Sequence, residues 1–192
     1  MKKIFISAFV FLGFTMQSNA QQSATLGVDL VSPMLKGYTV EAGYNKGYLR
    51  FTAAYGQLQA PSFITKQGED LLKNRTSVDF GVTKFHTGDQ KGLNYGVGLG
   101  FVNESIELLD SKGDVLTASV GKAENSYTRI GAKVGYLWMP FSGGLENLYI
   151  EPALQLGIAL GDGTKFDQGF EVEKALLKLG GPIINIGWRF NL

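Results

Sequence analysis

The stretch Pro182-Ile-Ile-Asn-Ile-Gly-Trp-Arg-Phe-Asn-Leu192 decides the fold. From Ile184 it alternates without a break. Ile184, Ile186, Trp188, Phe190 and Leu192 share one face, and Asn185, Gly187, Arg189 and Asn191 share the other. A period of two is the period of a strand, because successive side chains leave opposite sides of a pleated backbone. One face is wholly apolar; the other is polar and carries a charge. A water-facing edge strand with Trp, Phe and Leu on one open side invites aggregation. An apolar face turned to lipid and a polar face turned to a lumen satisfies both sides at once.

The N-terminal residues agree with export. Lys2 and Lys3 precede the apolar run Ile4–Phe14, and Ser18-Asn-Ala20 supplies small residues before Gln21-Gln22. This is the order of a secretory signal peptide, with cleavage expected after Ala20. The apolar run is too short to span a bilayer as a helix. Removing residues 1–20 takes two lysines and no acid, which leaves sixteen basic against seventeen acidic side chains. That balance, without any basic block, argues against nucleic acid as a partner. The chain has no cysteine, so disulfides, thiolate metal sites, Cys nucleophiles and a lipid-modified Cys anchor are excluded. The division expected is a signal peptide over 1–20 and one barrel domain over 21–192.

Twenty-six glycines and only five prolines, with many aromatics, fit an all-β chain rich in turns. A secreted β-sandwich has a similar composition, so the strand faces must choose. Eight alternating segments follow one another: about 24–31, 38–44, 48–58, 75–86, 93–103, 127–138, 148–160 and 182–192. Short turns follow the second, fourth and sixth. Long connections follow the third (59–74), the fifth (104–125) and the seventh (161–174). Pro33–Gly37, after the first, is a short exception. Most segments are near eleven residues, enough for a tilted strand to cross a bilayer. Short turns on one rim and long loops on the other describe an eight-stranded antiparallel up-and-down transmembrane β-barrel. A lipocalin-like soluble barrel would have its apolar face inside instead.

The strand parity sorts the charged residues. Asp29, Glu41, Asp79 and Glu151 face inward with Arg50, Arg129, Lys133 and Arg189. Eight strands enclose a lumen narrow enough for side chains to fill. Buried charges must be paired, so four acids against four bases predict a closed, salt-bridged interior. Gly96, Gly98 and Gly100 are expected to leave room there for long basic side chains. On the outward face, Tyr44, Tyr48, Tyr95, Trp138, Trp188 and Phe190 fall towards the short-turn rim. Tyr38, Tyr55 and Phe101 fall towards the long-loop rim. Tyr and Trp favour the lipid–water boundary, so two aromatic girdles are expected.

On these strands and faces the whole exported chain resembles the small eight-stranded outer-membrane barrels of the OmpA-transmembrane, OmpX and OmpW type. Trp188-Arg-Phe190-Asn-Leu192 resembles the C-terminal signal read by the barrel-assembly machinery, formed here by Trp188, Phe190 and Leu192. That signal usually ends in an aromatic, and Leu192 departs from it. A signal peptide followed at once by Gln is similar to exported proteins of Bacteroidota. The resemblance implies residence in the outer membrane, with its lipid and lipopolysaccharide as partners and the assembly machinery as a transient one.

Chemistry-bearing motifs are sparse. His86 is the only histidine and ends the fourth segment beside a short turn. The lipid A acyltransferase and deacylase barrels use a His with a Ser and an acid on the opposite rim, and no Ser stands here in a nucleophile motif. His86 reads as a turn residue, and no catalytic residue, metal or cofactor is expected. Asp110, Asp114 and Asp162 lack calcium-loop spacing. Glu69–Lys73 and Leu176–Leu179 each suggest a helical turn at the mouth. Three functions remain: a structural or surface-interaction barrel acting through its loops; an OmpW-like path for a small hydrophobic compound; and, least supported, a lipid-modifying enzyme.

Overall fold

A computed structural model describes residues 22–60, 71–108, 122–160, 164–165, 171–172 and 181–192. The signal-peptide segment, Asp110, Asp114, Asp162 and Leu176–Leu179 lie outside the described residues. Eight long strands alternate in face as the sequence does. They are β1 (Gln22–Asp29), β2 (Tyr38–Lys46), β3 (Leu49–Ala60), β4 (Leu71–Phe85), β5 (Gly92–Leu108), β6 (Lys122–Leu137), β7 (Leu148–Leu160) and β10 (Pro182–Asn191). Two short strands, β8 (Thr164–Lys165) and β9 (Glu171–Val172), form a small separate hairpin inside the segment expected to be a plain loop.

The long strands close into a barrel in the order β1-β10-β7-β6-β5-β4-β3-β2, every neighbour antiparallel. The C-terminal stretch is therefore no edge: Leu26 pairs with Trp188 and Ala24 with Phe190. Closure satisfies the backbone donors and acceptors of every strand along the paired registers, which is the condition for crossing hydrocarbon.

Three strands are longer than the sequence pattern indicates. β4 begins at Leu71, β5 runs to Leu108 and β6 begins at Lys122. Many of the added residues, such as Asn74, Glu104, Ser105 and Asn125, are polar and interrupt the apolar period, yet their pairing continues in register. Leu71–Lys73 is strand, which corrects the helical turn expected there. Between β1 and β2, Ser32–Leu35 forms a 3-10 turn.

The apolar residues lie outside. Val97, Val134 and Leu154, in the middle of their strands, are 65%, 56% and 54% exposed. Water would not tolerate such a surface around a whole barrel. Inside, the described core divides into two small apolar clusters. Phe85, Leu137 and Tyr149, with Met139 against them, lie near the short-turn rim. Val102, Tyr127 and Ala159 lie towards the long-loop rim.

Candidate functional site

The lumen between these clusters holds most of the charges. Arg50, second in β3, and Glu151, fourth in β7, are both fully buried. Arg50 Nη2 donates to both Glu151 oxygens, at 2.5 and 2.7 Å. Lys133 Nζ reaches the same carboxylate at 3.3 Å. The Arg50 guanidinium also lies over the Phe85 ring, 5.2 Å from its centroid, so the apolar cluster forms a floor beneath the ion pair. Glu41 points inward, its Oε1 buried without a hydrogen-bond partner among the described residues.

Higher in the barrel, Arg129 Nη2 donates to Asp79 Oδ1 at 2.6 Å. Both residues lie opposite Gly100 of β5, one on each side. A Cβ on Gly100 would collide with Asp79 Oδ1 and approach Arg129 Nε at 3.4 Å. Gly100 thus gives two charges two strands apart the space to meet. Gly96 and Gly98 do not: their neighbours are Thr83 and the backbone of Val82, Phe80 and Gly81. A second pair of glycines, Gly27 and Gly187, gives way instead to the Tyr149 phenol, which lies across β1 and β10.

Two inward charges do other work than the expected ion pairing. Asp29 ends β1 and accepts from Val31 N at 3.0 Å, Ser32 N at 3.0 Å and Ser32 Oγ at 2.6 Å, and also from Ile184 N at 3.2 Å. It fastens the 3-10 turn to the barrel mouth. Arg189 Nη1 donates to the Asp89 carbonyl at 3.0 Å, and Nη2 to Gln90 Oε1 at 3.0 Å. Gln90 also accepts from Ser23 Oγ at 3.0 Å and donates to the Gly47 carbonyl at 2.9 Å, while Asn45 Nδ2 donates to Ser23 Oγ at 2.9 Å. Residues 86–91 therefore fold under the barrel and stop its short-turn end with a buried glutamine. Gln90 takes a left-handed φ of 61° to do so. Arg189, Gln90, Ser23 and Asn45 form a polar stopper that strand parity does not reveal, since the partner sits in a turn. In that turn the Thr87 hydroxyl, donating to Asp89 Oδ1 at 2.6 Å, holds the Asp89 carboxyl below its ordinary pKa.

The nine aromatics expected in girdles all face outward. Tyr38, Tyr44, Tyr48, Tyr55, Tyr95, Phe101, Trp138 and Phe190 are exposed, and Trp188 is half-buried between neighbouring strands. The Tyr38 and Tyr55 rings are 6.1 Å apart on the long-loop side. His86 is exposed on the short turn, and its backbone N donates to the Leu93 carbonyl. Among the described residues no group of three or more His, Cys, Asp or Glu side chains is placed to hold a metal ion.

No family model and no curated protein matches the chain. Solved structures do. A major outer membrane protein from Thermus thermophilus matches with a TM-score of 0.50 at 9% identity, over 91% of this chain and 100% of that one. Ail, the attachment invasion locus protein of Yersinia pestis, matches at 0.49 and 11% identity, over 90% and 100% of the two chains. The N-terminal β-barrel domain of Pseudomonas aeruginosa OprF matches at 0.43 and 18% identity, over 92% and 100%. At such identities the likeness concerns architecture. By its own sheet order, and by its likeness to the Thermus outer membrane protein, the chain has the fold of the small eight-stranded outer-membrane β-barrels.

Proposed function

We propose that the protein is an integral outer-membrane barrel with a stoppered lumen, acting as a structural or surface-interaction element through its long-loop side. The observation that carries this reading is the inversion of polarity. Large apolar side chains cover the outside all round, while Arg50, Glu151, Lys133, Asp79 and Arg129 are paired within. Lipid on the outside and paired charge within is the arrangement a small transmembrane barrel requires. With Gln90 and Arg189 closing one end and two apolar clusters above and below the charges, the described part of the interior favours a stoppered barrel over a conducting one. No catalytic role is assigned to His86.

The long-loop side supports the surface role. β4, β5 and β6, of 15, 17 and 16 residues, rise beyond β1 and β2, of 8 and 9. β6 pairs with β7 only from Thr128 onward, so among the described residues the strand's first turns, from Lys122, rise past the β6–β7 ladder. A strand that outruns its neighbour can offer its backbone edge to a partner's strand by main-chain hydrogen bonding. Trp188, Phe190 and Leu192 remain the residues for recognition by the assembly machinery, and outer-membrane lipid and lipopolysaccharide the surrounding partners.

Deleting Leu109–Ala123 tests the role. The expected result is a barrel that still assembles and shows the heat-dependent gel shift, but has lost surface attachment of cells or of a labelled partner. Loss of assembly overturns the reading. So does a purified wild-type chain that gives steady, discrete conductance in a planar bilayer.

A further inference from the structure

The short-turn rim carries polar side chains that neither the lumen nor the loops use. Tyr48, Lys84, Phe85, His86 and Tyr95 line an open pocket of about 280 Å³ at the short-turn rim, and all of them except the inward Phe85 are exposed. Lys84, the last outward residue of β4, sits directly between Leu49 of β3 and Tyr95 of β5, and Leu49 is flanked in turn by Lys46 of β2. Neighbouring strands lie about 4.8 Å apart, so the two lysine backbones are roughly 10 Å apart on one row. Among the described residues Lys84 makes no ion pair, and neither it, the Tyr48 and Tyr95 hydroxyls nor the His86 ring makes a side-chain hydrogen bond. The Tyr48 ring rests on the 86–91 turn: a Cβ on Gly88 would lie 3.3 Å from Tyr48 Cζ. That contact holds the phenol beside the pocket.

The chemistry gathered here is two ammonium groups, two phenols and an imidazole, all able to donate and none an anion. It suits an oxyanion. Its position says which one. One step towards the middle of the barrel the same strands present Phe51, Val82 and Val97, and the last of these is 65% exposed. A ligand whose phosphate sits at Lys84 has an apolar track for its chains immediately beside it. We propose that Lys84, Tyr48, Tyr95 and His86 form a binding site for the phosphate of a glycerophospholipid in the leaflet at the short-turn rim, with Lys46 adding charge. The site rests on the membrane reading above, since it needs the outer wall to face lipid.

The exported chain, inserted into vesicles of phosphatidylethanolamine and phosphatidylglycerol and extracted in mild detergent, is weighed by native mass spectrometry. Wild type is expected to keep a bound phospholipid. Lys84→Ala and the double change Tyr48→Phe, Tyr95→Phe are expected to lower the retained fraction about ten-fold, equivalent to about 1.4 kcal/mol. Lys84→Arg is expected to keep most of it, and Lys91→Ala, an exposed charge at the far end of the 86–91 turn and outside the pocket lining, all of it. The heat-dependent gel shift confirms that each variant is folded. Inorganic phosphate separates the two sources of the oxyanion: if excess phosphate strips the lipid from wild type and binds the inserted barrel equally well alone, the lipid assignment is overturned. Equal lipid retention by Lys84→Ala and wild type overturns the site while the membrane reading stands. A chain that stays out of the vesicles overturns both.

Discussion

Arg50 and Glu151 set the energetics of the interior. With both groups fully buried and Lys133 on the same carboxylate, removing the acid strands two cations, and Arg50 keeps only Glu41 as an acidic neighbour among the described residues. Breaking a buried pair by deleting one partner costs about 3–5 kcal/mol, more than the pair itself contributes, because the surviving charge stays desolvated. Glu151→Ala is expected to lower the unfolding free energy by about that much in urea titrations of the vesicle-inserted barrel. Asp79→Asn is expected to cost less, since the Asp79–Arg129 pair is partly exposed and the amide oxygen can still accept. Equal costs would show that the two pairs share one environment. The inward orientation of all these residues was legible in the sequence because side-chain parity is rigid along a strand. Which charge meets which was not, because partners are chosen by register and strand tilt. Hence Arg129 could be placed in the lumen, but not opposite the gap left by Gly100. Tyr149 was legible as inward, yet nothing in its neighbours in sequence announces Gly27 and Gly187 beneath its ring.

At the scale of the element, the 86–91 turn is the most informative piece. In sequence it is a plain connection, since its length and Gly88 say no more than that. Its backbone shape, with Gln90 in the left-handed region, makes it a stopper. Arg189→Ala removes two donors to this turn, one at the Asp89 carbonyl and one at Gln90 Oε1. Amide exchange of residues 87–91 is expected to speed up severalfold in this variant, with the exchange of the mid-barrel strands unchanged; unchanged turn exchange would deny the clamp. The turn has a pH dependence of its own. The folded Asp89 carboxyl lies below its ordinary value of 3.8, chiefly through the Thr87 hydroxyl. Its contribution is therefore complete above the unfolded pKa and is lost as pH falls through the folded one. Acidification below about pH 4 is expected to loosen residues 87–91, and Asp89→Asn to flatten that response. Strand boundaries follow the same lesson. β7 runs over 148–160 as its aliphatic alternation indicates, whereas β5 continues to Leu108 past Glu104, Ser105 and Glu107, which interrupt the hydrophobic signal.

For the whole molecule, the outer wall is the part that a bilayer must recognise. Val97→Arg, at a mid-strand position 65% exposed, is expected to destabilise the inserted barrel by about 2–4 kcal/mol. In a water-soluble barrel the same change would cost almost nothing, so the urea midpoint in vesicles distinguishes the two. The architecture was legible because eight alternating segments and their unequal connections fix both the strand number and the two rims. The short β8–β9 hairpin was not, since two-residue strands have no period to read. The closing of the barrel by its first and last strands has a further consequence. Ser23 meets Asn191 and Asp29 meets Asn185, so the sheet can shut only after nearly the whole chain has been made. These contacts span the greatest sequence separation in the molecule and carry the largest loop-closure entropy. Losing β10 would therefore not remove an eighth of the structure. It would leave β1 and β7 as two raw edges within hydrocarbon, where unpaired backbone is not tolerated. Biogenesis of this chain is in that sense all-or-none, and its final ten residues complete every other strand's place in the ring.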